Sequence, residues 1–286
     1  MKHQLIATLL TSIALLTPLG AQASIIDPTP TCTTNICEIS ITGGTYQIYK
    51  ETSSGSGLLT QVAPNIATIA TVKDILMDNN ARGNVELGKF SLSPLPTTME
   101  VTFADGSTAS FSNPLYKDWT GGLARSYITA AGNSVGITLS PPQLTLATSY
   151  FLNTKTPLGI EAWRLASDPN IATINLVNGQ IKVGLDGLLN ASNFLNFLFA
   201  GTGAEVPAGK VAQASEVVKV TYNGSSQYLY SFSATDTFYK TADGSYDGQY
   251  TDQTVPEPTT LLMLGLGFIG FGYMHRHNKR DQAIAA

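Results

Sequence analysis

The sequence predicts a mainly β protein: an antiparallel, jelly-roll-like β-sandwich ectodomain with one or two short helices, between an N-terminal signal peptide and a C-terminal transmembrane helix. Hydrophobic residues recur with a period of two along most of residues 24–234, and three apolar runs turn at Asp-Gly or Asn-Gly pairs, which are typical of tight hairpins. Charged residues make up only 13% of the chain while Ser, Thr and Gly are abundant, which favours short antiparallel strands. A barrel also fits this pattern.

The first 23 residues have the composition of a secretory signal peptide. Lys2 supplies a positive start, an apolar core follows over residues 5–19, and Ala21 and Ala23 form a small-x-small cleavage site. We therefore expect the signal to be removed, so that Ser24 becomes the mature N-terminus.

Cys32 and Cys37 are the only cysteines of the chain, and they enter an oxidising envelope if the signal works. We expect them to form one disulfide that closes a small loop near the mature N-terminus. A metal-binding pair is less favoured, because no histidine lies between residues 24 and 254.

Three hairpins are the strongest structural predictions for the body. Each pairs an alternating run with a second run across a two- to four-residue turn: 99–103 with 107–111, 171–177 with 180–183, and 217–222 with 227–232. Shorter strands are predicted at 38–41, 45–49, 90–92, 134–139 and 144–151.

Helical periodicity occurs in two segments. Residues 65–77 place their apolar side chains on one face, and Asn65 can cap the start. Residues 187–199 have a broad apolar surface, with Asp186 as a possible cap and Gly201 as a stop. The second segment could instead be a buried strand, because Phe and Asn lower its helix propensity.

The hexapeptide Pro-Asn-Ile-Ala-Thr-Ile occurs twice, at residues 64–69 and 169–174. The first copy lies in a predicted helix and the second in a predicted strand. Both a duplicated half-domain and coincidence in an Ala/Thr/Ile-rich chain remain open at this point.

Residues 235–254 are expected to form a polar linker, because their aspartates lie among Gly, Ser and Tyr and leave little to pack. Residues 259–274 carry no charge and predict a transmembrane helix. At 1.5 Å per residue this helix is about 24 Å long, a short span for a hydrocarbon core of about 30 Å. The basic residues that follow, Arg276, Lys279 and Arg280, should stay in the cytoplasm.

The order of these features identifies the tail. Pro256, Glu257 and Pro258 precede an apolar, Gly-rich span and a basic end. This order resembles the PEP-CTERM sorting signal of Gram-negative bacteria, over residues 255–280. The resemblance implies that exosortase, a membrane-embedded peptidase, recognises the triplet and removes the tail. It also implies export across the inner membrane to the cell envelope or outside, transient anchoring by the C-terminal helix, and an association with exopolysaccharide or biofilm.

Charge and histidine content exclude several functions for the body. Residues 24–254 contain 18 acidic and 12 basic residues without a basic cluster, so nucleic acid is not an expected partner. Residues 132–136 spell the G-x-S-x-G motif of serine hydrolases, but no histidine of the body can serve its serine. We interpret residues 131–136 as a Gly/Asn turn between strands. No catalytic residue, metal or cofactor is predicted.

Two function classes remain. The first is a non-catalytic surface or extracellular-matrix protein that packs against polysaccharide or a partner. Sugar rings stack on exposed aromatic side chains, and the candidates are Tyr116, Trp119, Trp163, Tyr228 and Tyr230; core packing is the alternative role for each.

The second class is a carbohydrate-binding module or a secreted glycoside hydrolase or lyase that works through carboxylates and needs no histidine. Such enzymes need two carboxyl groups about 5 to 9 Å apart across a cleft. Glu100, Glu161 and Glu216 are the candidates, and an outward, solvated carboxylate is the ordinary alternative for each.

Overall fold

A computed structural model describes residues 32–63, 68–78, 80, 82–88, 95–156, 159–235, 239–241 and 248–255. The predicted signal peptide, the predicted strand at 90–92 and the predicted transmembrane helix lie outside these residues. Within the described ranges, no helix has the length and apolar character needed to cross a membrane.

The described residues are mainly β, with one antiparallel and one mixed sheet. The strands are β1 (Ile36–Thr42), β2 (Tyr46–Glu51), β3 (Leu58–Gln61), β4 (Gly83–Leu87), β5 (Thr98–Phe103), β6 (Thr108–Ser112), β7 (Asn170–Val177), β8 (Gln180–Leu188), β9 (Ala214–Ser215), β10 (Val218–Tyr222), β11 (Ser225–Leu229), β12 (Ala234–Thr235), β13 (Lys240–Thr241) and β14 (Gly248–Val255). The five-stranded sheet has the order β1-β5-β6-β10-β11, and the nine-stranded sheet has the order β12-β14-β8-β7-β4-β2-β3-β13, with β9 beside β8. Only β13 and β3 pair in parallel among the described strands.

All three predicted hairpins are confirmed, as β5–β6, β7–β8 and β10–β11. In β7–β8, Asn178 and Gly179 have φ values of 52° and 75°, and Asn223 and Gly224 in β10–β11 have 50° and 76°. Positive φ at both central residues defines the type I′ turn, whose twist matches that of the paired strands. The dipeptides therefore fix both registers, although β11 ends at Leu229 and not at residue 232.

Both sheets contribute to one buried apolar cluster. Alternate residues of their strands face it, including Ile36, Val101, Phe111 and Val220 of the five-stranded sheet and Ile48, Val85, Ile171 and Val183 of the nine-stranded sheet. A second cluster contains the helices between residues 116 and 199 and the segment 212–217. The body thus has a β core and a separate helical core.

The described chain contains more helix than predicted. Five α-helical segments are present: α1 (Ile69–Leu76), α2 (Tyr116–Asp118), α3 (Ala124–Ser134), α4 (Pro141–Asn153) and α5 (Ser192–Phe199). A π-helical turn, Trp119–Leu123, joins α2 to α3, and a 3₁₀ helix covers Ala162–Ala166.

The predicted strand at 144–151 is wrong, because these residues lie in α4. Ser140 and Gln143 form a capping box at its start, and Pro141 occupies the first turn, where its missing N–H costs nothing. Leu144, Ala147 and Phe151 are buried at helical spacing. The segment also alternates, so its periodicity alone does not separate the two structures.

The prediction of a turn between strands at 131–136, followed by a strand at 134–139, is also wrong. Residues 131–134 form the last turn of α3, and Gly136 terminates it with a φ of 83°. The Ile137 N–H donates to the Gly132 carbonyl oxygen over 2.8 Å, which satisfies the helix end. The glycines therefore serve helix termination and not a hairpin.

Both predicted helices are shorter than expected. The side chain of Thr68, and not that of Asn65, caps α1 by accepting from the Thr71 N–H; Asn65 lies outside the described residues. Asp186 is not a cap, because β8 continues through Leu188 and α5 begins only at Ser192. Strand pairing with β7, β9 and β14 outweighs the helical pattern there.

The predicted linker at 235–254 is wrong for residues 248–254. These belong to β14 (Gly248–Val255), which pairs with β8 along most of its length, and Tyr250 and Val255 are buried. The aspartates make this segment resemble a linker in the sequence, because only a few of its residues are apolar and contact the core. The expected disulfide between Cys32 and Cys37 is present.

Candidate functional site

A groove of about 440 Å³ lies between β11 and the π-helical turn. Its lining residues come from four neighbouring segments and are Lys117, Asp118, Gly121, Gly122, Leu123, Ser126, Tyr228 and Tyr230. The groove joins an edge strand of the five-stranded sheet to the helical core, so its walls are held by both cores.

Tyr228 and Tyr230 form the aromatic wall of the groove. They alternate with Leu229, which is buried in the β core, and therefore point toward the helical core. The Tyr230 ring lies 5.2 Å from the Tyr127 ring and 5.8 Å from the Phe232 ring, measured between centroids. Both groove tyrosines remain partly exposed, so packing fixes their rings and leaves part of their surface open.

Asp118 provides the polar end of the groove. Its Oδ1 accepts from Lys219 Nζ and from the Tyr228 hydroxyl, each over 2.8 Å, and its Oδ2 accepts from the Leu115 N–H over 2.8 Å. Burial opposes the ionised form, but these three donors outweigh it and lower the pKa of Asp118. The carboxylate thus stays charged and fixes α2, β10 and β11 relative to one another.

The same contacts act on Tyr228. Burial, followed by the hydrogen bond to Asp118 and its charge, raises the pKa of Tyr228 to about 12. The hydroxyl therefore remains protonated and donates to Asp118 at any physiological pH. Tyr228 presents a fixed ring to the groove and no nucleophile.

Two glycines keep the groove open on the side of the π-helical turn. A Cβ atom placed on Gly121 or Gly122 would meet no atom within 4 Å, so each position faces free space. Gly122 has a φ of 113°, which side chains rarely allow. The wide turn and its glycines leave the tyrosine rings accessible.

This arrangement suits a flexible, hydroxyl-rich ligand. A volume of a few hundred Å³ is the usual size of a small-ligand site. Partly exposed aromatic rings offer apolar surface, and Lys117, Asp118 and Ser126 offer polar groups beside it.

The other predicted aromatics lie elsewhere. Trp119 is fully buried, and its Nε1–H donates to Ser167 Oγ over 2.7 Å. Trp163 is buried between Tyr116, at 5.6 Å, and the Arg164 guanidinium, at 4.7 Å from its ring. Tyr116 keeps 45% of its surface exposed but packs on Trp163. The structure therefore brings only Tyr228 and Tyr230 of the five aromatics together in the groove.

The structure does not bring the three candidate carboxylates together. Glu100 is exposed on β5. Glu161 pairs with Arg164 over 2.8 Å; its own backbone N–H, followed by the charge of Arg164, lowers its pKa. Glu216 instead accepts from Asn170 Nδ2 over 3.2 Å.

Glu216, itself half-buried, instead contacts a cluster of buried acidic and amide side chains that sequence reasoning missed. In this cluster Glu86 of β4 lies opposite Asn170 of β7, and Asn170 lies opposite Asp186 of β8. Burial, followed by the charge of Asp168, raises the pKa of Glu216 well above its ordinary value. In the sequence, Glu86 lies between two apolar strand residues, a pattern that ordinarily places the carboxylate in water. Only the tertiary structure shows that both faces of β4 are packed, and so reveals the cluster.

Asp186 is a second carboxyl group of this cluster with a raised pKa. It is 3% exposed and accepts from Asn84 Nδ2 over 3.2 Å. Burial raises its pKa to about 8, although the Asn84 hydrogen bond opposes that shift. Within the part of the chain that the structure describes, no group of three or more His, Cys, Asp or Glu side chains is arranged to hold a metal ion.

The predicted signal-cleavage, sorting and membrane-flanking residues lie outside the described ranges. They are Ala21, Ala23, Ser24, Pro256, Glu257, Pro258, Arg276, Lys279 and Arg280. Comparison with known families supplies independent information on the tail: residues 254–276 match the family described as the PEP-CTERM protein-sorting motif. No curated protein and no solved structure matches the chain.

Proposed function

We propose that this chain is an exported, non-catalytic surface or extracellular-matrix protein whose β-sandwich body binds polysaccharide. The single observation that carries the export is the sorting motif at residues 254–276, which supports sorting by an exosortase to the cell envelope or surface. The shared core of the two sheets supports the sandwich.

We also propose that the chain is processed at both ends. The signal peptide is removed before Ser24, and the apolar segment 259–274 anchors the exported chain while Arg276, Lys279 and Arg280 stay in the cytoplasm. An exosortase then cuts near Pro256, Glu257 and Pro258 and releases the body from its anchor.

The intact mass of the protein, recovered from membranes and from culture medium of its native host, tests this processing. The expected species begins at Ser24 and lacks residues 259–286. A full tail retained in the membrane would overturn the processing and leave a permanently anchored ectodomain.

The groove is the proposed polysaccharide site. Tyr228 and Tyr230 pack against the helical core, and Asp118 accepts from the Tyr228 hydroxyl, so binding a sugar chain need not reorder their rings. The neighbouring carboxylate, ammonium and hydroxyl groups can exchange hydrogen bonds with sugar hydroxyls. A fixed aromatic wall with polar groups at its end is the observation that supports this ligand class.

A bulky substitution that fills the groove tests this site, and the substituted residue belongs to neither core. Ser126 is an exposed groove residue of α3, so Ser126→Trp should block the groove and weaken binding to the host's purified exopolysaccharide at least tenfold. Thr129 is exposed on the same helix but does not line the groove, so Thr129→Trp is the matched control. Equal affinity of both variants and the parent, by affinity electrophoresis, would refute the site.

The buried acidic cluster favours a second candidate function, carboxylate-dependent hydrolysis of glycans. The raised pKa of Glu216 is the property that a general acid needs. Release of new reducing ends from the host polysaccharide tests it: our proposal expects none above background. Activity that Glu216→Gln abolishes, in a variant that unfolds like the parent, would favour the enzyme.

A further inference from the structure

The sorting motif begins inside the last strand of the folded body. The matched region starts at Thr254 and β14 ends at Val255, so two residues belong to both. Pro256 follows directly; it has no N–H to extend the ladder, and it favours an extended conformation at the residue before it. No residue therefore separates the paired strand from the Pro-Glu-Pro triplet.

The end of β14 is a distinct part of this strand. Gln253, Thr254 and Val255 pair with Val183, Lys182 and Ile181 of β8, and a register shift separates them from the pairs at residues 248–250. Among the described strands, β12 pairs with β14 only at residues 249 and 250. Residues 253–255 are thus held by β8 on one side.

This end is nevertheless packed. Val255 is 2% exposed and belongs to the core that both sheets share. Separation of residues 253–255 from β8 would break their ladder hydrogen bonds and expose Val255, but it would leave the rest of β14 paired. Such a local opening would be small and would end where the triplet begins.

We propose that residues 253–255 form a latch that controls removal of the tail, an inference that rests on the proposed processing. Extended peptides bind by adding to the edge of a partner's sheet, which requires free backbone groups. In the closed latch, β8 covers one edge of the segment that directly precedes the triplet, so a peptidase cleft that encloses this segment from both sides cannot receive it. The peptidase therefore acts on the open latch, and the processing rate follows the population of that state.

The chemistry of the step is a simple hydrolysis. One peptide bond near the triplet breaks, water supplies the hydroxyl of the new carboxyl group on the body, and the released tail gains the proton on its new amine. The latch changes only access to this bond. A body with a well-formed last strand is therefore processed more slowly than one whose last strand is open.

A reversible covalent lock tests the latch. Lys182 and Thr254 are direct cross-strand partners, and such pairs lie at a separation that a disulfide can bridge. Lys182→Cys with Thr254→Cys should hold the latch closed and slow tail loss at least tenfold in a pulse–chase experiment in the native host. Thr221→Cys with Ser226→Cys locks β10 to β11 in the five-stranded sheet, whereas β14 belongs to the nine-stranded sheet, and is the matched control.

An insertion provides the opposite perturbation. Five Gly and Ser residues placed between Val255 and Pro256 should let the peptidase reach the triplet with the latch closed. We expect this insertion to speed tail loss in the parent severalfold and to restore it in the locked variant.

The outcomes separate the two proposals. Slow processing of the locked variant alone, with rescue by the insertion, supports the latch. Processing of the locked variant at the parent rate, or no effect of the insertion on the parent, overturns the latch and leaves the processing proposal intact. Retention of the tail by both the parent and the insertion variant overturns the processing itself and the latch with it.

Discussion

At the scale of single residues, Asp118 does the most to define the groove. Its carboxylate accepts from Lys219, Tyr228 and the Leu115 backbone, and these donors come from β10, β11 and the start of α2. Its side chain is only 7% exposed, so the charge is largely removed from solvent screening. One acidic residue therefore orients the tyrosine ring that the proposed ligand would contact.

Replacement of this charge should change the titration of Tyr228. In Asp118→Asn the burial of the phenol remains but the neighbouring charge is lost, so the pKa of Tyr228 should fall from about 12 toward its ordinary value of 10.0. The loss of a charged partner for Lys219 should also lower the free energy of unfolding by about 1–3 kcal/mol. Ultraviolet titration of tyrosine ionisation checks this, with Tyr228→Phe to assign the signal; identical curves for parent and variant would contradict it.

Asp186 should make stability depend on pH. Its pKa is about 8 in the folded protein against 3.8 for an ordinary aspartate, so the folded state binds this proton more tightly than the unfolded chain. Its contribution is therefore fully present below about pH 4 and is lost as the pH rises to about 8, by up to about 1.4 kcal/mol per pH unit.

Asp186→Asn should remove this part of the dependence. Urea unfolding at pH 5 and pH 8 checks it, and the variant should lose less stability than the parent between the two values. Asp105→Asn is the control: Asp105 is an exposed turn residue whose pKa is lowered by Ser107, so its effect lies below pH 4. A parent with equal stability at both pH values would contradict the prediction.

At the scale of elements, turn dipeptides predict structure better than hydrophobic periods do. Asn178-Gly179 and Asn223-Gly224 adopt the positive φ values that their sequence favours, and both hairpins follow. The segment at 141–153 has apolar residues that fit a strand and a helix equally well. Its capping box at Ser140 and Gln143 is a local signal that could have separated the two.

Close approach of β8 and β9 depends on one glycine. A Cβ atom on Gly187 would lie 2.5 Å from the Ala214 carbonyl oxygen and 2.6 Å from the Ser215 Cα. Both contacts are with backbone, so the strands would have to move apart. This position explains why a glycine stands in a strand that otherwise favours bulky residues.

Gly187→Ala should therefore lower the free energy of unfolding by about 1–3 kcal/mol, the range for overpacking. Gly121→Ala is the matched control, because its added Cβ would meet no atom within 4 Å. Thermal unfolding compares the two: the midpoint should fall by several degrees for Gly187→Ala and change little for Gly121→Ala. Equal midpoints would show that the strands separate without cost.

At the scale of the whole molecule, β14 closes the fold. It lies between β8 and β12, its Tyr250 hydroxyl donates to the Leu188 carbonyl oxygen over 2.6 Å, and Tyr250 and Val255 are both buried. The segment that composition assigns to a spacer is therefore part of the nine-stranded sheet. A processed body that ends after Val255 keeps this strand.

Truncation tests whether residues 248–255 are a structural strand or only a spacer. A chain of residues 24–255 should unfold cooperatively like the parent ectodomain. A chain of residues 24–247 should lose at least about 3 kcal/mol of stability, because burial of two large apolar side chains contributes roughly 1.5–3 kcal/mol each. Urea unfolding compares them, and equal stability of the two chains would show that β14 adds nothing to the fold.

The sequence by itself determined the sorting tail, the Cys32–Cys37 pairing and the three hairpins, because each depends on residues that are close along the chain. Only the tertiary structure decided the helical core, the strand at 248–255, the groove and the buried acidic cluster. Tyr228 and Asp118 are 110 positions apart, and Glu86 meets Asn170 only through strand pairing. Contacts of this kind follow from how the sheets and helices pack, and no local pattern records them.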